Sequence, residues 1–262
     1  PPCTLEITDA ETFARDWTVI DVNSDVSANT WAYNDGNAMY TQDKSNAADD
    51  WLIAPAVTLE AGKAYNVSAY VKPSSTFGSD KQKIELKIGT APTVEGLTTR
   101  LVYDESFQSR LFVEKSGTFS PAESGVFYVG LRCYSESYNG DLYFQKIVIE
   151  EAPVYPAQIT DLSIVAGERG AMSATLSWTW PSSDHLGGAL SNLLGAKIYR
   201  GTDLVATLDT ATVGGKAGWI DSSIETAGNY TYKVVAYNTF GDSQGSATTV
   251  TSPWIGNDTP AA

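Results

Sequence analysis

The sequence predicts an all-β protein built as two β-sandwiches in series. Three observations carry that expectation. Apolar residues recur with a period of two in several short stretches, as where Tyr65, Val67, Ala69 and Val71 alternate with Asn66, Ser68, Tyr70 and Lys72. That is the alternation of a strand with one buried face. No stretch sustains a helical period, and the composition (18% charged, 11% aromatic, 22 glycines in 262 residues) suits short strands joined by many turns. Finally, Glu150-Glu151-Ala152-Pro153-Val154-Tyr155-Pro156 is a Pro-punctuated linker between two sets of strands.

In the first set, residues 3–8 supply an opening strand. An acidic loop follows at 21–30, then an aromatic stretch with Trp31, Tyr33 and Tyr40 in loop-like sequence. Asp49-Asp50-Trp51-Leu52-Ile53-Ala54 runs into Pro55, which cannot donate to a ladder, so the run is an edge strand or bends there. The turn Ala61-Gly62-Lys63 leads into the alternating strand ending near Lys72. Pro73-Ser74-Ser75 and Phe77-Gly78-Ser79 make a loop. Ile84, Leu86 and Ile88 alternate with Lys83, Glu85 and Lys87, and further strands fit 100–104, 110–119, 126–134 and 142–150.

In the second set, Ala174, Leu176, Trp178 and Trp180 share a strand face, and Lys197-Ile198-Tyr199-Arg200 reads as a strand. Tyr230, Tyr232, Val234 and Ala236 share another face, and Phe240-Gly241-Asp242 turns the chain into a last strand near 245–251. Trp51 and Trp178 are assigned to cores, because large rings are the main apolar payload of a small domain.

Two resemblances add to this reading. Residues 16–31 read D-W-T-V-I-D-V-N-S-D-V-S-A-N-T-W, and 49–59 read D-D-W-L-I-A-P-A-V-T-L. In that order, Trp17, Asp21, Asp25, Trp31 and Asp49-Asp50-Trp51 resemble the signature of the cleaved-adhesin group of jelly-roll domains. That group includes choice-of-anchor J modules of bacterial surface proteins and gingipain haemagglutinin regions. The second half resembles a fibronectin type III domain: Trp178 stands in "LSW", Tyr230 at the tyrosine-corner position, and Ala236-x-Asn238-x-x-Gly241 at the end of the same strand.

The resemblances imply a jelly-roll β-sandwich at 1–152, a fibronectin type III sandwich at 156–252 and a tail at 253–262. They imply a non-enzymatic adhesion or binding module, secreted or at the cell surface, recognising an extracellular protein or glycan as a monomer. A carbohydrate-binding accessory region of a larger secreted hydrolase and a structural spacer are the alternatives.

Charge and motif content bound the chemistry. A net charge of −14 disfavours nucleic acid, and no apolar run approaches the roughly 18 residues of a membrane span. The chain opens Pro1-Pro2-Cys3, which reads as a mature fragment or a trimmed piece. Asn66, Asn229 and Asn257 stand in Asn-x-Ser/Thr triplets. Cys3 and Cys133 are the only cysteines. A bridge between them would close about 130 residues and contribute roughly 4–5 kcal/mol on chain-entropy grounds; one buried and one terminal thiol fit the sequence equally. His185 lies in a Gly-rich loop without a nucleophile elbow, so it reads as a loop residue.

Asp21-x-Asn23-x-Asp25 opens with EF-hand spacing, but Val26 and Ala32 occupy the positions that require Gly and Glu, so an EF-hand is rejected. A calcium ion held between loops by Asp21, Asn23, Asp25 and Asp49 remains, against the alternative of ordinary solvated turn residues. The residues alone favour ordinary turns and the resemblance brings calcium level with them, although Tyr143-Phe144-Gln145-Lys146-Ile147 lacks the acids such jelly rolls often carry in a closing Y-I-D-D-V strand, with Asp141 as a substitute. Trp31, Tyr33, Tyr40, Tyr134 and Tyr138 are candidate platforms for a sugar ring, each weighed against plain packing.

Overall fold

The computed structural model describes residues 2–25, 29–74, 81–245 and 247–257. Val26, the Phe77-Gly78-Ser79 loop and the last five residues of the tail lie outside the described residues. The fold is all-β, and the chain divides into two compact units, Pro1–Ala152 and Pro153–Ala262.

Among the described residues, the first unit holds twelve strands and one helix. In order they are β1 (Cys3–Glu6), α1 (Ala10–Asp16), β2 (Thr18–Asp21), β3 (Trp31–Asn34), β4 (Asn37–Tyr40), β5 (Asp50–Ile53), β6 (Val57–Leu59), β7 (Ala64–Pro73), β8 (Gln82–Gly89), β9 (Thr99–Phe107), β10 (Val113–Phe119), β11 (Gly125–Cys133) and β12 (Leu142–Ala152). They form two antiparallel sheets. One runs β10-β7-β12-β4-β3, with β1 also on β12. The other runs β2-β5-β11-β8-β9, with β6 also on β11.

The period-two apolar faces meet in one core. Val67, Ala69 and Val71 of β7 and Phe144, Ile147 and Ile149 of β12 cluster with Leu52, with Ile84, Leu86 and Ile88 of β8, and with Phe127, Val129 and Leu131 of β11. Each such side chain contributes roughly 1.5–3 kcal/mol when fully buried.

Three local features resolve or depart from the sequence reading. Pro55 marks a bend and not an edge: β5 and β6 both pair with β11, and β5 lies between β2 and β11. The stretch around Tyr33 is a strand, because Asp35 (φ +44°) and Gly36 (φ +75°) form a two-residue hairpin turn joining β3 to β4. Helix α1 has only seven residues, too short to show a period; Asp9 caps it, its Oδ1 accepting the Thr12 N–H at 2.8 Å. Trp51 is buried as expected, but it faces away from the main core, in a satellite cluster with Ile53 and Leu97. Cys3 and Cys133 are free thiols, on strands of different sheets.

The second unit holds β13 (Ser163–Ala166), β14 (Ala174–Thr179), β15 (Gly195–Arg200), β16 (Asp203–Leu208), β17 (Lys216–Asp221), β18 (Thr231–Asn238), β19 (Gly241–Asp242) and β20 (Thr249–Thr251). A three-stranded sheet, β13-β14-β17, and a five-stranded one, β16-β15-β18-β19 with β20 also on β18, make up its strands among the described residues. Leu176 and Trp178 of β14 cluster with Ile198 of β15 and with Tyr232, Val234 and Ala236 of β18.

Candidate functional site

Strand alternation decides what the Asp49-Asp50-Trp51 run does. Trp51 faces outward, so Asp49 does too, and Asp50 points inward with Leu52. Asp49 takes a two-pronged ion pair from Arg132, at 2.7 and 2.8 Å. The structure therefore places Asp49 with Arg132, on the sheet face away from the acidic loop.

Asp50, which the sequence reading did not select, faces that loop. It is fully buried; one oxygen accepts the Asp49 N–H at 3.1 Å, and the Thr30 hydroxyl also hydrogen-bonds the carboxyl. Burial pushes its carboxyl up to about 7, and the nearby Asp21 and Asp25 charges add to the rise. Asp25 is also raised, by burial first, and its Oδ1 is buried and unpartnered. Asp21 accepts the N–H of Ser24, which sits at φ +51°. Asn23 donates to Asp25 Oδ2 at 3.0 Å and to the Ala47 carbonyl at 2.7 Å, tying the acidic loop to the segment before β5. Among the described residues, no three His, Cys, Asp or Glu side chains converge as a metal group.

Around these acids several loops are pinned into one surface by polar side chains. Asp43 is the hub: its carboxylate accepts the N–H groups of Ser45 and Asn46 and the side-chain amides of Asn29 and Asn46, and these donors hold it below the usual carboxylate range. Gln82, buried on β8, donates to the carbonyls of Asn139 (2.6 Å) and Gly140 (2.8 Å), and its Oε1 accepts the Ser135 hydroxyl at 2.6 Å. Gln42 accepts the Gly140 N–H at 2.7 Å and gives its own N–H to Asp141. The Ser135 carbonyl takes the Ala48 N–H. Asp43, Gln82 and Ser135 organise this end and were missed by sequence reasoning; their only signal is a polar residue at or within three positions of a strand end.

The five candidate aromatics separate clearly. Trp31 and Tyr40 are each 2% exposed, with rings 5.9 Å apart, and Trp31 Nε1 donates to the Asp50 carbonyl at 3.2 Å. They are core residues that hold the acidic end, so no ligand can stack on them. Tyr33 packs half-buried against the core. Tyr134 is half-buried outside the second sheet, stacked on Tyr103 at 5.7 Å with the Arg132 guanidinium 5.2 Å from its ring. Tyr138 alone of the five is strongly exposed, at 65%.

His185 ties its loop to the 153–156 segment, since Nδ1 accepts the Tyr155 N–H at 3.2 Å. No described helix is long and apolar enough to cross a membrane.

No protein-family model matches the chain, and no curated protein matches it. Solved structures do. The K3 cleaved adhesin domain of Lys-gingipain from Porphyromonas gingivalis is 11% identical, over 57% of this chain and 99% of that one, with a TM-score of 0.44. The K2 domain of the same protein is 14% identical, over 56% and 99%, at 0.41. The CBM22-1 xylan-binding domain of Paenibacillus barcinonensis Xyn10C is 14% identical, over 57% and 92%, at 0.33.

Proposed function

We propose that the chain is a non-enzymatic binding module, secreted or displayed at a cell surface, whose first unit recognises an extracellular glycan or protein with its loop-bearing end. The observation that carries this reading is the cross-linking of that end. Buried Asp43, Gln82 and Ser135 fix loops from both sheets in one arrangement before any ligand arrives, and a surface fixed in advance loses little entropy on binding. The resemblance of residues 16–59 to cleaved-adhesin sequences supports the same class. The test is an array of glycans and matrix proteins probed with the intact chain, beside a panel of peptide, ester and glycoside substrates. Saturable binding without turnover is expected; turnover that vanishes on replacing one carboxylate overturns the reading.

Calcium belongs to this proposal. The buried carboxylate oxygens of Asp50 and Asp25, the latter's Oδ1 without a partner, suit a hard cation beside the Thr30 hydroxyl, with Asp50 in place of Asp49 as the ligand from β5. A bound ion would neutralise carboxylates that otherwise repel. At a hundredfold excess over its dissociation constant it adds about 2.7 kcal/mol, or roughly 5–10 °C for a unit of this size. Calorimetric melting with calcium and with chelator should show that shift in wild type and lose it in Asp50→Asn, while Asp49→Asn keeps it. Equal melting with and without chelator excludes the ion.

The second unit reads as a fibronectin type III-like support. Tyr230 Oη donates to the Thr226 carbonyl at 2.6 Å, four residues upstream, as a tyrosine corner does.

A further inference from the structure

One exposed ring at the loop end is held there against the preference of its own backbone. Tyr138 has φ +67°, a region that bulky L-residues rarely adopt and that glycine enters freely. The surroundings enforce it. Its N–H donates to the Asp43 carbonyl at 3.2 Å, and the next two carbonyls, of Asn139 and Gly140, are both held by Gln82. Asn139 Nδ2 donates to the Lys81 carbonyl at 3.0 Å, and Gly140, at φ +80°, gives its N–H to Gln42. The ring returns little to the fold: Lys44 Nζ lies 6.0 Å from its centre, at the outer limit of a cation–π contact. Glycine would satisfy this turn better, so the fold alone gives no reason for a tyrosine here.

We propose that Tyr138 is the stacking platform for a pyranose ring of a neutral glycan, with the Lys44 ammonium as a hydrogen-bond donor to its hydroxyls. This rests on the binding-module reading and names the contact and the ligand class. The neighbouring turn presents exposed Lys44, Ser45 and Asn46, and Glu136, two residues before Tyr138, is exposed and paired with Lys83 at 2.6 Å. A flat ring with a polar surround matches a sugar, whose C–H face is apolar and whose rim is hydroxylated; a protein anchor requires an apolar surround that excludes water. The net charge of −14 selects an uncharged glycan over an acidic one.

The experiment uses the intact chain, titrated calorimetrically with neutral oligosaccharides: xylohexaose, cellohexaose, laminarihexaose, mannohexaose and a galactose-terminated biantennary N-glycan. Wild type should bind at least one. Tyr138→Ala and Tyr138→Gly should weaken that binding by about tenfold or more, and Tyr138→Trp should retain it. Lys44→Gln, which keeps a donor, should weaken it less than Lys44→Ala. Relief of backbone strain adds a second readout: Tyr138→Gly should melt at or above the wild-type temperature. A glycan bound equally by wild type and Tyr138→Ala overturns this inference and leaves the binding-module reading standing. A clear fall in melting temperature for Tyr138→Gly makes the ring a packing residue and also overturns it. If none of the five sugars binds, the glycan proposal falls, and a matrix protein captured on the array then decides whether the broader reading survives.

Discussion

Asp221 shows how a fully buried charge is kept in the second unit. Its carboxylate accepts from Ser223 N–H (2.9 Å) and Oγ (2.7 Å), from Tyr232 Oη (2.8 Å) and from Arg200 Nη1 (2.8 Å). Burial alone would raise its pKa, but these donors outweigh it and hold the carboxyl below the usual range. A depressed folded pKa means that the stabilisation is present above the unfolded value, near 3.9, and is lost as pH falls through the folded one. The second unit should therefore weaken in denaturant titrations run progressively from pH 5 down to pH 2. Asp221→Asn should flatten that dependence and cost about 3–5 kcal/mol at neutral pH, because it strands Arg200. At this scale the sequence shows that an acid is present but not which face it occupies. Asp49 and Asp50 are adjacent and chemically identical, and only the strand alternation makes one a half-buried ion pair on the outer face and the other a buried carboxyl.

Among elements, the segment from 90 to 97 shows what close approach requires. It lies over the outer face of the second sheet and seals Trp51. A Cβ on Gly130 would stand 2.4 Å from Leu97 Cδ1 and 3.2 Å from the Trp51 ring, and one on Gly89 would meet the Gly96 carbonyl oxygen at 1.8 Å. Gly130→Ala should thus cost roughly 1–3 kcal/mol as overpacking, and the tryptophan emission should shift red as water reaches Trp51. The alternating strands β7, β8, β11 and β12 were readable because period two records a half-buried face. Helix α1 and the β3–β4 hairpin were not read from pattern: one is shorter than the period needed to reveal it, and the other's signal lies in the single Asp35-Gly36 turn. The loop end was only incompletely readable. Acids and aromatics were visible there, but Asp43 and Gln82 act through backbone groups brought close only by folding.

For the whole molecule, each unit has a core of its own. Residues 153–257 expressed alone should unfold cooperatively, and Trp178→Ala should cost about 3–5 kcal/mol there while leaving the melting of the first unit unchanged in calorimetry of the intact chain. A disordered fragment would show that the second core is incomplete without the first.

The first unit begins and ends on neighbouring strands: β1 lies antiparallel to β12, with Cys3 opposite Ile149, three residues before the chain leaves at Ala152. Tension applied through those two ends would load the β1–β12 ladder in the unzipping direction, so its hydrogen bonds would break in succession rather than together. The same arrangement sets the start of β1 beside the end of β12, so chain attached at those two points would meet the unit at one place. In single-molecule pulling, β1 should peel at low force before the sandwich opens, and a cysteine bridge placed across β1 and β12 should abolish that first yielding step.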